Sequence, residues 1–320
     1  MDRNLALEAV RVTESAAMAA LAYLGGGDER AADEAAVKAM MNRLGTLILD
    51  GTVRMGEGEK GEVEDLYTGQ TIGTGGAPKA DVAVLALEGK SIIARGGYNA
   101  LSVIALAEDG GFMSVPNIYM EKIAVGPDLP EGVVDLDAEP ADNLKALAKA
   151  KKVKVSDLIV CMLDRPRHAQ LVTKVRDAGA RIRLILDGDV SGAVAPALPG
   201  SGVVIFLGSG RATQGVLAAA ALRGLGGQMQ SRLIVRNDDE AQRLRKAGVE
   251  DAAKKYELTD MAAGNVTFAA TGVTAGPMLS GVQTENDGWS TTHSLVVRSK
   301  TRTLRYIEGH HHVSKLAQGG

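Results

Sequence analysis

From Leu158 onward the chain alternates short apolar runs with amphipathic segments, and that alternation confines it to few folds. Leu158 to Leu163, Arg181 to Leu186 and Val203 to Leu207 read as strands. Pro166 to Ala178, Val190 to Ala197 and Thr213 to Leu225 read as helices, with Pro166 suited to a helix start and Gly179 to a helix stop. Strands and helices in this order build parallel βαβ units with the helices covering the sheet. Ligands of such sheets bind beyond the carboxyl ends of the strands.

The first half reads differently. Leu5 to Leu24 is Ala-rich with helical spacing, and the glycines at 25–27 stop it. Asp28 is placed to cap a second helix carrying Asp33 to Leu44. Leu47 to Leu49, Asp81 to Leu87, Leu101 to Leu106 and Tyr119 to Val125 read as strands. Pro127 to Glu139 is a Pro- and Asp-rich connector. The expected division is a lobe over 1–150 and an α/β lobe over 151–320. The tail, Val266 to Ala270, Ser290 to Val297 and Thr301 to Ile307, returns to strands. The fold class is α/β, with a mixed sheet and a parallel βαβ region.

Composition excludes several function classes. Net charge is −3, so no global field attracts nucleic acid or an anionic membrane, and 3% aromatics are too few for base-stacking platforms. The single Cys161 permits no disulfide or thiolate zinc site within the chain, and its apolar surroundings make it a buried small hydrophobe. No apolar run is long enough to span a bilayer, and Met1 to Leu5 lacks the basic and apolar regions of a secretory signal, so a cytoplasmic location is expected. His310, His311 and His312 are consecutive and alternate faces on a strand, which favours a surface or interface role over a metal site. His293 reads as structural and Lys145 to Lys154 as a solvated basic face.

Three strand ends carry polar clusters. They are Asp164 to His168 with Arg165 and Arg167, Asp187 to Asp189, and the glycine-rich Gly208 to Gln214 with Arg211. Each alone reads as a solvated turn. Together they suit a phosphorylated polyol, with forked arginines for phosphate and carboxylates for hydroxyls. A second set of acids comes from the first half: Asp33, Glu57, Glu59 and Glu88. Hard divalent cations take such oxygen ligands, and two metals can bind a phosphate and activate water.

At these residues the chain resembles the class II fructose-1,6-bisphosphatases of the lithium-sensitive sugar and inositol phosphatase superfamily. The blocks that carry the resemblance run nearly end to end. They include Arg11 to Ser15, Ala32 to Val37, Asp50 to Thr52, Gly56 to Glu59, Asn99 to Leu101, Asn117 to Met120, Arg165 to His168, Asp187 to Val190 and Ala270 to Thr274. The resemblance implies a layered α/β/α/β/α sandwich and a cytoplasmic homo-oligomer. It also implies Mn2+- or Mg2+-dependent hydrolysis of fructose 1,6-bisphosphate to fructose 6-phosphate, in gluconeogenesis and glycerol metabolism. It puts Asp33, Glu57 and Glu88 at catalytic metal-ligand positions. Glu88, Gly89, Tyr119, Arg165, Arg167, Asp187, Asp189 and Gly210 fall on positions lining the sugar-phosphate pocket.

The departures fall on the chemistry. Leu85 stands where the family has a metal-binding carboxylate, and Lys90 where it has a hydroxyl that positions water. Gln214 replaces a glutamate ligand, and Glu29 a lysine near the reacting phosphate. These changes predict impaired hydrolysis, and Lys90 is expected to take the cation's place with its ammonium paired to Glu88 and Glu57. Two readings stay open: a metal-dependent phosphatase weakened at these positions, and a sugar-phosphate-binding or regulatory pseudoenzyme. A related inositol or sedoheptulose phosphatase is a third.

Overall fold

The structure is a computed structural model that describes residues 4–285 and 288–312. The first three residues of the expected N-terminal reading and the last eight of the 151–320 lobe lie outside the described residues. The order opens with helices α1 (Asn4–Leu21) and α2 (Glu29–Leu44), then strands β1 (Asp50–Met55), β2 (Thr71–Ile72) and β3 (Lys79–Glu88). It continues through α3 (Lys90–Arg95), β4 (Leu101–Glu108), β5 (Tyr119–Val125), α4 (Pro140–Lys151), β6 (Ile159–Leu163) and α5 (Ala169–Asp177). Next come β7 (Arg181–Ile185), α6 (Asp189–Val194), β8 (Ile205–Arg211), α7 (Ala212–Leu225), β9 (Gln228–Ile234) and α8 (Asp238–Lys246). The chain ends with β10 (Lys255–Glu257), α9 (Leu258–Met261), β11 (Val266–Gly272), β12 (Gln283–Thr284), β13 (Trp289–Arg298) and β14 (Thr303–His312).

Two mixed sheets result. The first runs β12-β13-β11-β4-β3-β1-β2, with β14 also on β13; β1 and β3 are parallel, and the other strand pairs among the described residues are antiparallel. The second runs β10-β9-β5-β8-β6-β7, with β6 parallel to both β7 and β8 and the remaining pairs antiparallel. Strand β5 of the first half lies in the second sheet, and β11, β13 and β14 of the second half return to the first.

Three apolar clusters make the layers. One joins α1, α2 and α3 to the outer face of the first sheet through Val10, Met40, Val84, Ile93 and Ile104. The middle one seats α6 and α7 between the sheets, with Val103 and Phe268 on one side and Met120 and Phe206 on the other. The third seats α4 and α5 on the outer face of the second sheet through Leu144, Val175, Val160 and Ile123. The result is the expected α/β/α/β/α sandwich. Helix α7 is buried on nearly all sides, which is why it is built from Ala218 to Ala221 rather than from an amphipathic repeat.

Other expectations need revision. Leu47 to Leu49 is a turn; Leu47 and Leu49 are buried, but the ladder starts only at Asp50, which pairs with Lys79. Gly208 to Arg211 is not a loop. It continues β8, paired residue for residue with β5 so that Arg211 faces Tyr119. The helix read from Pro166 starts as a short 3-10 turn, Pro166–His168, before α5. The expectations also left 228–261 without elements, yet β9, α8, β10 and α9 occupy it. Strand β9 alternates polar and apolar residues and α8 is mostly charged, so neither shows as an apolar run. No helix among the described residues is long and apolar enough to cross a membrane.

Candidate active site

Asp33 on α2, Glu57 in the turn after β1, and Lys90 at the start of α3 meet at one point. The Lys90 ammonium donates to Asp33 Oδ2 at 2.5 Å and lies 3.6 Å from Glu57 Oε2. The other Glu57 oxygen accepts the Ala86 N–H at 2.7 Å. Gly89 makes the arrangement possible: its φ of +97° turns the chain sharply from β3 into α3, a conformation an L side chain resists. A cation at a helix start opposes the helix dipole, so the two carboxylates are what make Lys90 tolerable there. Burial alone would lower the Lys90 pKa, but Glu57 and Asp33 outweigh it and the net is raised. Burial raises the Glu57 carboxyl, with Lys90 acting against it.

Glu88, at the end of β3, does not join them. Its Oε1 accepts the Val190 N–H at 2.9 Å and the Gln214 amide at 3.3 Å. The expected Lys90–Glu88 pair is therefore absent among the described residues, because Glu88 points toward α6 and α7 while Lys90 turns to α2. Burial pushes the Glu88 pKa up to about 8, with Asp187 and Asp189 adding to it, so the side chain is protonated at neutral pH. With Oε1 accepting twice, the proton belongs on Oε2, which meets no protein partner. Gln214 also accepts the Arg211 N–H at 2.9 Å, so one amide caps α7 and holds Glu88. Leu85 packs against the middle apolar cluster.

These side chains do not fit a divalent cation as they stand. Among the described residues no three His, Cys, Asp or Glu side chains are grouped to hold a metal. Asp33 and Glu57 already share an ammonium, and Gln214 offers Glu88 a donor where a cation needs acceptors. Unit charges ~4 Å apart at an effective dielectric of ~20 repel by about 4 kcal/mol, and a divalent ion beside Lys90 would feel more. Lys90 is 38% exposed, so solvent screens part of this. Glu59 lies apart, 3.7 Å from Arg243, and Glu29 is exposed in the first turn of α2.

The second sheet supplies the other half of the site. The guanidinium carbons of Arg167, Arg211 and Arg236 lie 5.1, 5.0 and 4.5 Å from the Tyr119 ring centre. Arg236 meets a carboxylate, Glu240, whereas Arg167 donates to the Ser209 carbonyl at 2.6 Å and Arg211 to the Asn117 carbonyl at 2.9 Å. His168 fixes this frame. Ser209 N–H donates to its Nε2 at 2.9 Å, so the ring is neutral with its proton on Nδ1, toward the Leu163 carbonyl. Burial lowers its pKa in agreement. Arg165 lies 3.8 Å from Asp187, which also accepts from Ser91 at 3.3 Å.

Two residues escaped the sequence reading. Lys122, in β5, is fully buried and pairs with Asp189 while donating to the Arg211 carbonyl at 3.0 Å. Burial lowers its pKa, and Asp189 opposes that. The pair explains Gly210, where a Cβ would sit 2.0 Å from Asp189 Oδ2 and 3.0 Å from Lys122 Nζ. The signal for Lys122 was a lone lysine inside the otherwise buried β5. Arg236 follows β9 in a segment left without elements and carried no signal of its own.

These features define a class: an α/β protein of two facing mixed sheets, with guanidinium groups and carboxylates gathered where the strands end. Comparison with known proteins narrows the class to a family. The family described as "Bacterial fructose-1,6-bisphosphatase, glpX-encoded" matches residues 3–311. The chain is 40% identical over 329 aligned residues to "Fructose-1,6-bisphosphatase 1 class 2" of Escherichia coli K12, covering 98% of this chain and 97% of that one. The "Fructose-1,6-bisphosphatase class 2" proteins of Escherichia coli O6:H1 and Shigella flexneri match at the same identity and coverage. This chain belongs to the class 2 fructose-1,6-bisphosphatase family.

Proposed function

We propose that this chain binds fructose 1,6-bisphosphate and releases phosphate from it, at a rate held down by Leu85, Lys90, Gln214 and Glu29. The observation that carries the reading is the cluster of Arg167, Arg211 and Arg236 around Tyr119. Glu240 offsets Arg236, so the three guanidiniums on one ring keep a net positive charge, and the forked donors of Arg167 and Arg211 match phosphate oxygens. In this reading Arg167, Arg211 and Arg236 hold the phosphate remote from the reacting one. Asp187 and Asp189 accept sugar hydroxyls, with Asp189 fixed by Lys122.

A manganese or magnesium ion is what the family implies. It supplies Lewis-acid polarisation of a phosphoryl oxygen where one binds. Asp33, Glu57 and Glu88 are engaged by protein donors and do not fit the ion as they stand. A cytoplasmic homo-oligomer, divided into lobes over 1–150 and 151–320, completes the proposal.

Phosphate release from fructose 1,6-bisphosphate, with and without manganese, tests the reading together with calorimetric binding. Saturable binding with slow release is expected. Binding with no release would move the chain to the pseudoenzyme alternative, and folded protein that fails to bind the sugar overturns the reading.

A further inference from the structure

We infer that Lys90 is a tethered cation that stands permanently in a metal position, so that this chain holds the acid end of its site together without a divalent ion. The inference rests on the family reading for the identity of that position. The rest comes from the side chains themselves.

Asp33 and Glu57 come from a helix and a turn that are far apart in sequence, yet both direct an oxygen at the Lys90 ammonium, at 2.5 and 3.6 Å. Glu57 cannot turn away freely, since its second oxygen holds the Ala86 N–H. Two carboxylates converging on one point need a positive charge between them, and Lys90 supplies it covalently. An ammonium tethered to α3 does not dissociate, whereas a bound ion does so at low metal concentration.

A second replacement points the same way from different atoms. The Gln214 amide donates to Glu88 Oε1, and a glutamate at 214 would bring a second acid to that oxygen with nothing between them. The amide is oriented by the Arg211 N–H, which takes its oxygen and leaves its NH2 for Glu88. Leu85, the remaining position, fills apolar space instead of offering an oxygen. The residues at 85, 90 and 214 thus act in one direction: Lys90 and Gln214 give donors to Asp33 Oδ2, Glu57 Oε2 and Glu88 Oε1, and Leu85 adds no oxygen, although Asp33 Oδ1 and Glu88 Oε2 keep no partner among the described residues.

Chelator-stripped protein titrated with manganese chloride, read by calorimetry and by melting temperature, tests this directly. Wild type is expected to show no saturable manganese binding and no change in melting temperature. Lys90→Thr removes the ammonium and leaves Asp33 and Glu57 facing each other. It is expected to melt lower than wild type, to bind manganese saturably, and to recover melting temperature as it does so. Stoichiometric micromolar binding to wild type overturns the inference, as does a Lys90→Thr protein that responds to manganese no better than wild type. If Lys90→Thr fails to accumulate, Lys90→Gln is refolded with and without manganese. A yield raised by the metal supports the inference, and a yield indifferent to it contradicts it. No sugar phosphate enters these measurements, so their failure and that of the substrate reading are separable.

Discussion

The two ends of the site handle charge in opposite ways. At the acid end each carboxyl meets a donor from within the chain, Asp33 and Glu57 from Lys90 and Glu88 from Val190 and Gln214, while Asp33 Oδ1 and Glu88 Oε2 stay buried without a partner among the described residues. At the arginine end, Arg167 and Arg211 are held by carbonyl oxygens, while Arg236 meets Glu240 and Arg165 approaches Asp187. One end is closed electrostatically and the other is open to an anion. On the reading proposed above, the arginine end holds a sugar phosphate while Lys90 stands in for a metal at the acid end.

The contrast can be broken most severely at the buried link between the halves. Lys122→Met leaves Asp189 charged, buried and unpaired, which should cost about 3–5 kcal/mol of stability. Denaturant unfolding checks this, and an unchanged midpoint would mean that the pair does not anchor the pocket. Next in size is restoration of the acid end. Leu85→Asp, Lys90→Thr, Gln214→Glu and Glu29→Lys together should raise turnover with manganese by about 10²-fold, since a Lewis acid contributes several kcal/mol to the transition state. A folded restored protein that gains nothing would place the chemistry elsewhere.

At the open end, Arg167→Ala or Arg211→Ala should weaken sugar bisphosphate binding by about 1.5–3 kcal/mol, the usual worth of a hydrogen bond to a charged group. Binding calorimetry reads this loss, and unchanged affinity would remove the phosphate role from the Tyr119 cluster. The smallest effect is the pH response of Glu88. Its folded pKa of about 8 lies above the ordinary carboxyl value of 4.5, so between these values the folded state holds a proton that the unfolded state has lost. Stability from this group is complete below pH ~4.5 and falls as pH rises through 8, at up to about 1.4 kcal/mol per pH unit. Glu88→Gln should flatten that slope in unfolding measured from pH 5 to 9.

Much of this was legible in the sequence because the family's blocks sit at strand ends, where topology decides which side chains meet. The βαβ run from Leu158, the Asp28 cap and the strand carrying Asp81 to Leu87 follow from local pattern alone. Lys90 could be flagged as a misplaced cation and Glu57 named as one partner, but Asp33 could not be named as the other. Whether it turned to Glu88 or to Asp33 depended on how α2 packs against α3. Lys122 was hidden because β5 lies inside the second sheet, a consequence of long-range pairing with β8 and β9. Strand β9 was missed because Gln228, Gln230 and Arg232 interrupt its apolar positions, although that alternation marks a strand with one buried face. The histidines at 310–312 did alternate as expected: His311 faces Thr292 and Glu14, while His310 meets Glu308.

The central claim is that ligand binding has been separated from metal binding in this chain. Calorimetric titration of fructose 1,6-bisphosphate into the full chain, once in excess EDTA and once in manganese, tests it most directly. The account predicts saturable binding with the same affinity in both. Binding that occurs only in manganese would contradict it.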